Sequence, residues 1–361
     1  MRILLVPPNW PPLVCGIGDY TFHLSQALAA KGAEVSVLTR AIAAPSEAAK
    51  VSVHAVMNSW RFPRFTVAGR EAERFNPDIV HLQYEGYGFD QSFALPLLWR
   101  SLGGRRVLTL HEVWFKNRLH RLRDSFLHSG ARHVIVNDQG CLERFEALGT
   151  GRPVTKIGVG ANLPLTEWKP TRGDTVQLGY FGFLNKIKAL DLLLEAVAEL
   201  VFERGVKVRL SLAGPFDPDR SREHREIKAL AEKLRLSEHV QFKGQLEARE
   251  VSKFLAGCDF AILPYTDGAS PRRGSLQACL GMGIPTISTR SAFAESELID
   301  GKNIIYLPAL SKEAIVQTIS HLSRNHDLQE KLSGGAKMFG QKYRWDRIAE
   351  RHIPVYENLL I

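Results

Sequence analysis

The sequence predicts an α/β protein with two doubly wound domains, each built on a parallel sheet. Short apolar segments of strand character alternate with helical segments along its 361 residues. A stretch rich in proline and polar residues, 163–174, interrupts this alternation near the middle of the chain. The length also exceeds that of a typical single domain. Two series of alternating elements therefore predict two domains that face each other across a cleft.

The first series predicts a buried strand at 3–6, rather than a signal peptide, and a helix at 20–30. Further strands are predicted at 34–38, 78–82, 106–110, 133–136 and 154–157. Because strands and helices alternate, we expect this first domain to cover residues 1–164.

The second series begins after the proline-rich stretch and predicts a domain over 165–342. Its strands are predicted at 177–181, 206–213, 240–243, 260–263, from 284 onward and at 304–307, and its helices at 190–203, 222–234, 247–256 and from 274 onward. The remaining segment, 343–361, has a helical pattern interrupted by Pro354. We expect this helix to cross back to the N-terminal domain.

The run from 258 to 290 predicts a βαβ unit with a possible anion site. An apolar strand ends at Pro264, and a polar loop with Arg272 and Arg273 precedes a helix that starts near Gly274 and Ser275. Helix-start amides and two guanidinium groups suit a phosphate or diphosphate. The alternative is an ordinary βαβ unit whose arginines are solvated.

The composition is that of an ordinary globular protein, with 45% hydrophobic and 24% charged residues. No apolar stretch approaches the ~20 residues of a membrane span, and the four cysteines lack metal-type spacing. We expect a cytoplasmic protein with reduced thiols.

The net charge of +9 leans toward the N-terminal half. The residues that contribute most visibly are Arg100, Arg105, Arg106, Lys116, Arg118, Arg121 and Arg123. Such a patch is either a solvated face or a contact for anionic lipid, a phosphorylated acceptor or nucleic acid. No nucleic-acid module is recognisable, so we expect no nucleic-acid partner. A peripheral contact with the inner face of the membrane stays open.

In parallel sheets, ligands bind beyond the carboxyl ends of the strands, and this rule selects residues in the first domain. Gly16 and Gly18 follow the first strand and allow close approach of backbone amides, with Asp19 as a potential helix cap. His111 ends another strand, where it can reach a sugar hydroxyl. Each residue has an equally plain structural alternative, a loop-to-helix turn or a hydrogen-bonded histidine.

Polar residues that end neighbouring strands are candidates for an acceptor pocket. They are Gln83, Tyr84, Glu85 and Asn137. In the second domain, Lys186 and Lys188 lie between a strand and a helix, where they can neutralise a diphosphate together with Arg272 and Arg273 or be plain surface lysines. Asp217 and Asp219, separated by a proline, match a short acidic pattern that can hold a metal, but no other carboxylate or His/Cys cluster accompanies them, and we predict no metal site.

With these positions in place, the chain resembles the family-4 retaining glycosyltransferases of the GT-B architecture over nearly its whole length. In the first half, the resemblance rests on Gly-Ile-Gly-Asp-Tyr-Thr (16–21), His-Glu (111–112) and Lys-Ile-Gly-Val-Gly-Ala-Asn (156–162). In the second half, it rests on Phe-Gly-Phe-Leu (181–184) with Lys188 and Asp-Leu-Leu-Leu-Glu-Ala (191–196), Leu-Ala-Gly (212–214), Val-Gln-Phe-Lys-Gly (240–244), Cys-Asp-Phe-Ala-Ile-Leu-Pro (258–264) and the closing helix at Trp345.

The resemblance implies a nucleotide-diphosphate sugar held by the C-terminal domain and an acceptor, a sugar or lipid-linked sugar, on the N-terminal side. It places Lys188 and Gly16 at the diphosphate, His111 near the donor sugar, and the backbone from Lys243 onward near the base. The nucleotide sugar is then a co-substrate, and no cofactor is expected.

The chain departs from the family at the usual pair of glutamates. Gln277 replaces the second; the first corresponds to Asp267 if the loop carries two extra residues, or to Ala269 without a gap. A basic residue common in the family is replaced by Phe183, whose missing charge Arg272 or Lys186 can supply.

The resemblance implies sugar transfer with retention, in surface polysaccharide or glycoconjugate synthesis. Lys188, Arg272, the glycine loop and the helix start at Gly274 and Ser275 would stabilise the leaving group. Two alternatives stay open on the same fold: a sugar-nucleotide epimerase, and a non-catalytic subunit that binds nucleotide sugars.

Overall fold

The computed structural model describes residues 1–42, 44–62 and 64–361. It forms two compact units. The first comprises Met1–Asn162 and Trp345–Ile361, and the second comprises Leu163–Arg344. The domain boundaries expected from the sequence lie after residue 164 and after residue 342.

The first unit is built on a seven-stranded sheet in which every neighbouring pair is parallel. Its strands are β1 (Arg2–Val6), β2 (Glu34–Arg40), β3 (Val51–Met57), β4 (Ile79–Tyr84), β5 (Arg105–Leu110), β6 (His133–Val136) and β7 (Val154–Lys156). The strand order is β3-β2-β1-β4-β5-β6-β7, so the direction of winding reverses between β1 and β4. Loops that leave these two strands diverge and open a crevice at their carboxyl ends.

Helices cover this sheet and are fixed by local capping. They are α1 (Gly16–Ala30), α2 (Phe65–Phe75), α3 (Leu95–Ser101), α4 (Arg118–Gly130) and α5 (Gln139–Glu146). The side chain of Asn117 accepts a hydrogen bond from the His120 amide at the start of α4. Asp138 likewise accepts from the Cys141 amide at the start of α5. These bonds satisfy amides that a helix start leaves unpaired.

The second unit has a six-stranded parallel sheet with the same winding. Its strands are β8 (Val176–Phe181), β9 (Val208–Ala213), β10 (Val240–Gly244), β11 (Phe260–Leu263), β12 (Thr286–Ser288) and β13 (Ile305–Tyr306). The order β10-β9-β8-β11-β12-β13 places the reversal between β8 and β11. The parallel βαβ unit predicted around residues 258–290 is confirmed, as is the prediction of two Rossmann-like sheets.

The helices of the second unit are α6 (Leu190–Ala198), α7 (Arg222–Lys233), α8 (Ala248–Ala256), α9 (Gly274–Gly281), α10 (Lys312–Ser323) and α11 (His326–Gln341). A 3₁₀ turn over Lys186–Lys188 precedes α6, and a π-helical segment, Glu199–Glu203, follows it. The last helix, α12 (Trp345–Leu360), belongs to the first unit and contains Pro354. The indole nitrogen of Trp345, the first residue of α12, donates a hydrogen bond to the Ala161 carbonyl at 2.9 Å.

Several predicted elements differ from the observed ones. Helix α1 begins at Gly16 rather than at residue 20, so Asp19 lies in its first turn and Cys15 is the N-cap. Strand β3 and helices α2 to α5, α10 and α11 were not predicted from the pattern. β3 is an edge strand with mostly half-buried side chains, which weakens its apolar signal. In the described ranges, no helix combines the length and apolar character that crossing a bilayer requires.

Candidate active site

In the second unit, the loops after β8 and β11 meet at the reversal of the sheet. The amide of Thr266 donates to the carbonyl of Ile187 at 3.0 Å, which joins the two loops directly. Lys188 follows one end of this bond and Asp267 follows the other. The crevice at the carboxyl ends of the strands therefore brings these two predicted residues to one place.

Tyr265 lies at the point where these two loops meet. The Nζ of Lys188 lies 4.4 Å from the centre of the Tyr265 ring, and the guanidinium carbon of Arg273 lies 4.6 Å from it. The hydroxyl of Tyr265 forms a 2.7 Å hydrogen bond with the Ser275 hydroxyl at the start of α9. One buried aromatic ring thus holds two cations through its π-face and is fixed by the helix start.

The cluster carries more positive than negative charge. Asp267 pairs with Arg272 at 3.2 Å and also with Arg273. Lys188 has no ion pair within the part of the chain that the structure describes. Three cations (Lys188, Arg272 and Arg273) therefore lie close to the Asp267 carboxylate. We refer to these four side chains with Tyr265 as the basic cluster.

Burial and neighbouring charges perturb the pKa values in the basic cluster. Burial, helped by the positive charge of Arg273, lowers the pKa of Lys188 to about 8, and Asp267 opposes this shift. Burial alone would raise the pKa of Asp267, but the charge and hydrogen bond of Arg273, with Arg272, lower it on balance. An incoming anion would relieve the repulsion among these cations and favour the charged form of Lys188.

The backbone beside the basic cluster is shaped by two glycines. Gly182 has φ +145°, and a Cβ built there would lie 3.7 Å from the Ser275 hydroxyl. Gly214 has φ +152°, and a Cβ there would lie 1.9 Å from the Gly182 carbonyl oxygen. Gly214 therefore allows the loop after β9 to lie against the loop after β8, whereas at Gly182 the positive φ favours glycine. Gly274 is the first residue of α9, which presents free amides to this loop.

Three further residues predicted at the donor lie outside the basic cluster. Lys186 is exposed, and its Nζ is 3.7 Å from Glu226 on α7. Lys243 lies over the Phe254 ring and donates to the side chain of Gln241 at 3.1 Å. Gln277 is buried and donates from its Nε2 to the Pro271 carbonyl at 3.0 Å. Gln277 thus fixes the loop that carries the arginines.

In the first unit, His111 follows β5 and is held by Gln83. The Nε2 of His111 lies 3.0 Å from the Gln83 Oε1. Because this oxygen only accepts, the ring nitrogen donates, and the neutral ring keeps a lone pair on Nδ1. Burial, with a smaller effect of His352, lowers the pKa of His111 to about 3. His111 is therefore neutral near pH 7 and suited to accept a hydrogen bond from a hydroxyl.

A buried polar network lies behind His111 and connects it to α12. The ring of Tyr20 meets His111 edge-on at 4.9 Å, and its hydroxyl is 3.2 Å from the His352 Nε2. The His352 Nδ1 donates to the Ile348 carbonyl at 2.8 Å, so Nε2 accepts from Tyr20. His81 lies 2.8 Å from the Tyr356 hydroxyl. Helix α12 is thus joined to α1 and β4 through neutral histidines.

The other residues predicted in the first unit have mainly structural contacts. A Cβ on Gly18 would lie 2.9 Å from the Asn9 carbonyl, whereas Gly16 has open space beside it. Tyr84 donates to the buried Asp124 at 2.6 Å. The Glu85 carboxylate accepts from the amides of Tyr87 and Gly88, each at 2.8 Å, and Asn137 donates to the Ile157 carbonyl at 2.9 Å.

No group of three or more His, Cys, Asp or Glu side chains is placed to hold a metal ion within residues 1–42, 44–62 and 64–361. Asp217, weighed as a metal ligand from its sequence, accepts hydrogen bonds from the amides of Asp219 and Arg220. Its carboxylate therefore stabilises a turn before α7.

Comparison with known families agrees with this arrangement of two similar units. Residues 14–163 match the model of Glycosyltransferase Family 4, and residues 175–325 match the model described as Glycosyl transferases group 1. The two matched regions fall on the two sheets. Each half of the chain belongs to a glycosyltransferase family.

Solved structures of GT-B glycosyltransferases share the fold at low sequence identity. Sucrose-phosphate synthase from Thermosynechococcus elongatus is 18% identical, with a TM-score of 0.80 over 99% of each chain. Anabaena HepE in complex with UDP and glucose is 15% identical, with a TM-score of 0.74 over 99% of each chain. WaaG, a glycosyltransferase involved in lipopolysaccharide biosynthesis, is 15% identical, with a TM-score of 0.71 over 98% of this chain and 99% of that one.

Curated relatives of this GT-B protein are D-inositol 3-phosphate glycosyltransferases. The protein of Streptomyces bingchenggensis (strain BCW-1) is 25% identical over 269 residues, which are 72% of this chain and 56% of that protein. The protein of Corynebacterium jeikeium (strain K411) is 25% identical over 188 residues, 51% of this chain and 44% of that one. The match thus spans about half the length of these relatives.

Sequence reasoning missed some residues of this GT-B site. The sequence places Arg273 beside Arg272 in the anion-binding loop, but the catalytic role was given to Arg272 alone, although the side chain of Arg273 is the less exposed of the two, 12% against 24%. Tyr265 was not singled out, although a tyrosine two residues after a buried strand in the same loop was an available signal. Tyr20 and His352 carried no such signal, because their contact joins residues 332 positions apart.

Proposed function

We propose that this protein transfers a sugar from a nucleoside-diphosphate donor to a hydroxyl group of a sugar or lipid-linked sugar acceptor, with retention at the anomeric carbon. The second unit would bind the donor and the first unit the acceptor. The observation that carries the proposal is the basic cluster, in which Lys188, Arg272 and Arg273 face one carboxylate at the reversal of the sheet.

The charge balance of the basic cluster suits a diphosphate. Lys188, Arg272 and Arg273 bring three positive charges to one place, where they can neutralise the two negative charges of a bound diphosphate diester. Arginines can bind phosphate oxygens in pairs, and a lysine acts as a point charge. The amides at the start of α9 add fixed dipoles of the same sign.

Breaking the bond between the anomeric carbon and the diphosphate oxygen places the electron pair on the diphosphate. Groups that stabilise this developing charge lower the barrier most, and removal of one such donor costs about 3–4 kcal/mol. The acceptor oxygen then bonds to the anomeric carbon from the face that the diphosphate leaves. Its proton passes to a diphosphate oxygen, so that no protein nucleophile is required.

His111 would orient the reacting sugar. Its neutral ring keeps a lone pair on Nδ1, because Nε2 donates to Gln83. This lone pair can accept a hydrogen bond from a sugar hydroxyl without adding positive charge to the ring. Gly16, which has open space beside it, would allow the backbone at the start of α1 to approach the diphosphate.

We further propose that the reaction serves the synthesis of surface polysaccharide or another glycoconjugate. The structure of WaaG, involved in lipopolysaccharide biosynthesis, has the same fold. Because the structure of HepE was obtained with UDP and glucose, UDP-glucose is the first donor to test.

The proposal is tested by thermal shift with UDP, GDP and ADP, followed by assays with the matching nucleotide sugars. Binding to the native state raises the apparent melting temperature by mass action. We expect one diphosphate to stabilise the protein and its sugar to be transferred with release of that diphosphate. Conversion of the donor to an epimer without nucleotide release would instead show an epimerase. Binding without turnover over a broad acceptor panel would indicate a binding subunit.

A further inference from the structure

Helix α4 in the first unit has an outward face that is apolar and basic. Leu119, Leu122 and Phe126 are exposed by 63%, 67% and 46%, and their spacing places them along one side of the helix. The opposite side is buried and contains Leu127. Helix α4 therefore packs on its own domain with one face and shows a second apolar face to solvent, which is unusual for a helix of a globular domain.

The apolar face of α4 continues onto neighbouring elements. Helix α3 adds exposed Leu97, and its Arg100 guanidinium lies 4.2 Å over the Phe126 ring. The ring of Phe93, also exposed, contacts His120 at 5.3 Å. We call the exposed side chains of Phe93, Leu97, Trp114, Leu119, Leu122 and Phe126 the α4 surface.

Positive charge surrounds the α4 surface. Lys116, Arg118 and Arg121 are exposed, and none of the three has an ion pair among the residues that the structure describes. Between residues 95 and 130 the acidic residues are Glu112 and Asp124. Asp124 is buried against Arg123 and Tyr84. Helix α4 therefore presents cations and apolar side chains without an exposed carboxylate of its own, and exposed Glu112 lies at the edge of the α4 surface beside Trp114 and Lys116.

We propose that the α4 surface binds the interfacial region of an anionic lipid bilayer. Leucine and aromatic side chains would enter the boundary between headgroups and acyl chains, while Lys116, Arg118 and Arg121 would contact lipid phosphates. Exposed Trp114, stacked on Tyr87 at 6.0 Å, is the type of side chain enriched at this depth. This proposal does not depend on the transfer reaction.

The distribution of charged residues on the α4 surface favours a bilayer over a protein partner. The core of a protein interface is depleted in charged residues, whereas here the cations alternate with the apolar residues along α4. Mixed cationic and apolar contacts are what an anionic bilayer surface satisfies along a single helix. The side of the first unit that carries α3 and α4 is thus the side expected at the membrane.

The test is co-sedimentation of the full chain with vesicles of phosphatidylcholine alone or with added phosphatidylglycerol. We expect binding only to the anionic vesicles, and weaker binding at high salt. The variant Leu119→Ser/Leu122→Ser/Phe126→Ser removes the apolar contacts and should bind at least about tenfold more weakly. The variant Arg118→Glu/Arg121→Glu should lose at least about tenfold through charge alone.

Matched controls use exposed residues of the second unit. Phe202→Ser/Met338→Ser and Lys228→Glu/Arg249→Glu make the same chemical changes away from the α4 surface and should bind vesicles as the unchanged chain does. Circular dichroism checks that each variant is folded. Unchanged binding of the triple serine variant, or no binding of the unchanged chain to anionic vesicles, would overturn the proposal. The proposal would also be overturned if the unchanged chain formed a dimer in solution and did not bind vesicles, and if the triple serine variant abolished that dimer.

Discussion

The ammonium group of Lys188 lies 4.4 Å from the centre of the Tyr265 ring and is the cation of the basic cluster without a carboxylate partner in the described chain. Two residues earlier, Lys186 points to Glu226 instead. The 3₁₀ turn that contains both lysines thus sends one into the cluster and the other to solvent.

This difference predicts opposite outcomes for two alanine variants. Lys188→Ala should lower turnover by about 100–1000-fold, because it removes a fixed positive charge at the leaving group. Lys186→Ala should change turnover by less than about threefold, since its exposed ion pair with Glu226 contributes little. Steady-state kinetics with the donor found by thermal shift measures both. Equal losses in the two variants would contradict the placement of the diphosphate.

The lowered pKa of Lys188 predicts a pH dependence of nucleotide binding. In the free protein this pKa is about 8, so the side chain loses its proton as pH rises above that value. Affinity for the nucleoside diphosphate should fall by up to about tenfold per pH unit above 8. The Lys188→Arg variant keeps its charge and should bind with little change between pH 7 and 9.5. Calorimetric titration compares the two, and parallel pH profiles would exclude Lys188 as the titrating group.

His111 predicts a separation of turnover from donor binding. His111→Ala should lower kcat by about 100-fold, because the hydroxyl contact of Nδ1 is lost in the reacting complex. Nucleoside-diphosphate affinity should stay within about threefold, since the diphosphate is bound by the basic cluster. Replacement of exposed His321 by alanine is the control. A large loss of diphosphate affinity with unchanged kcat would contradict this role.

The neutral histidines behind His111 predict acid sensitivity. Burial lowers the pKa of His352 to about 4, below its usual value of 6.5. A neutral buried histidine contributes stability above pH 6.5, and this contribution is lost as pH falls toward 4 because the unfolded chain takes up the proton first. The loss from His352 is about 3 kcal/mol.

The variant His352→Gln cannot titrate and should show a smaller fall in the free energy of unfolding between pH 6.5 and 4. Exposed His321→Gln should follow the unchanged protein. Urea unfolding at a series of pH values measures this difference. If His352→Gln loses as much stability as the control over that pH range, the acid sensitivity has another source.

Two adjacent glycines of α11 predict opposite effects on stability. A Cβ on Gly334 would meet nothing within 4 Å, so Gly334→Ala should stabilise the helix by up to about 1 kcal/mol. A Cβ on Gly335 would lie 2.0 Å from the Lys302 carbonyl oxygen, so Gly335→Ala should destabilise by about 1–3 kcal/mol or more. Thermal unfolding of both variants checks this, and equal shifts would contradict the packing of α11.

The sequence predicted the parts of the fold where local signals are strong. The βαβ unit at 258–290 was correct because an apolar strand, a polar loop and a helix follow one another without interruption. Strand β3 was missed because an edge strand is only half-buried and its apolar alternation is incomplete. Helix α1 was predicted to start too late, since Gly16 and Gly18 have low helix propensity and were interpreted as loop residues.

The residues of the candidate site were predictable only one loop at a time. Lys188 and Arg272 follow different strands, and the rule for carboxyl ends of parallel strands placed both near a crevice. The rule does not say which neighbouring side chain turns inward, so it treats Lys186 and Lys188 alike, and only the family resemblance singled out Lys188. The difference depends on Tyr265 and Glu226, which tertiary packing brings to opposite sides of the 3₁₀ turn.

Helix α12 closes the first unit, although it is synthesised after the whole second unit. Until it emerges from the ribosome, the groups that it pairs with on Tyr20 and His81 have no partner from α12. A nascent chain that has completed the second sheet therefore still lacks the last helix of the first unit. Chaperones that bind exposed apolar surface would therefore have the longest time to act on the first unit, which is synthesised first and completed last.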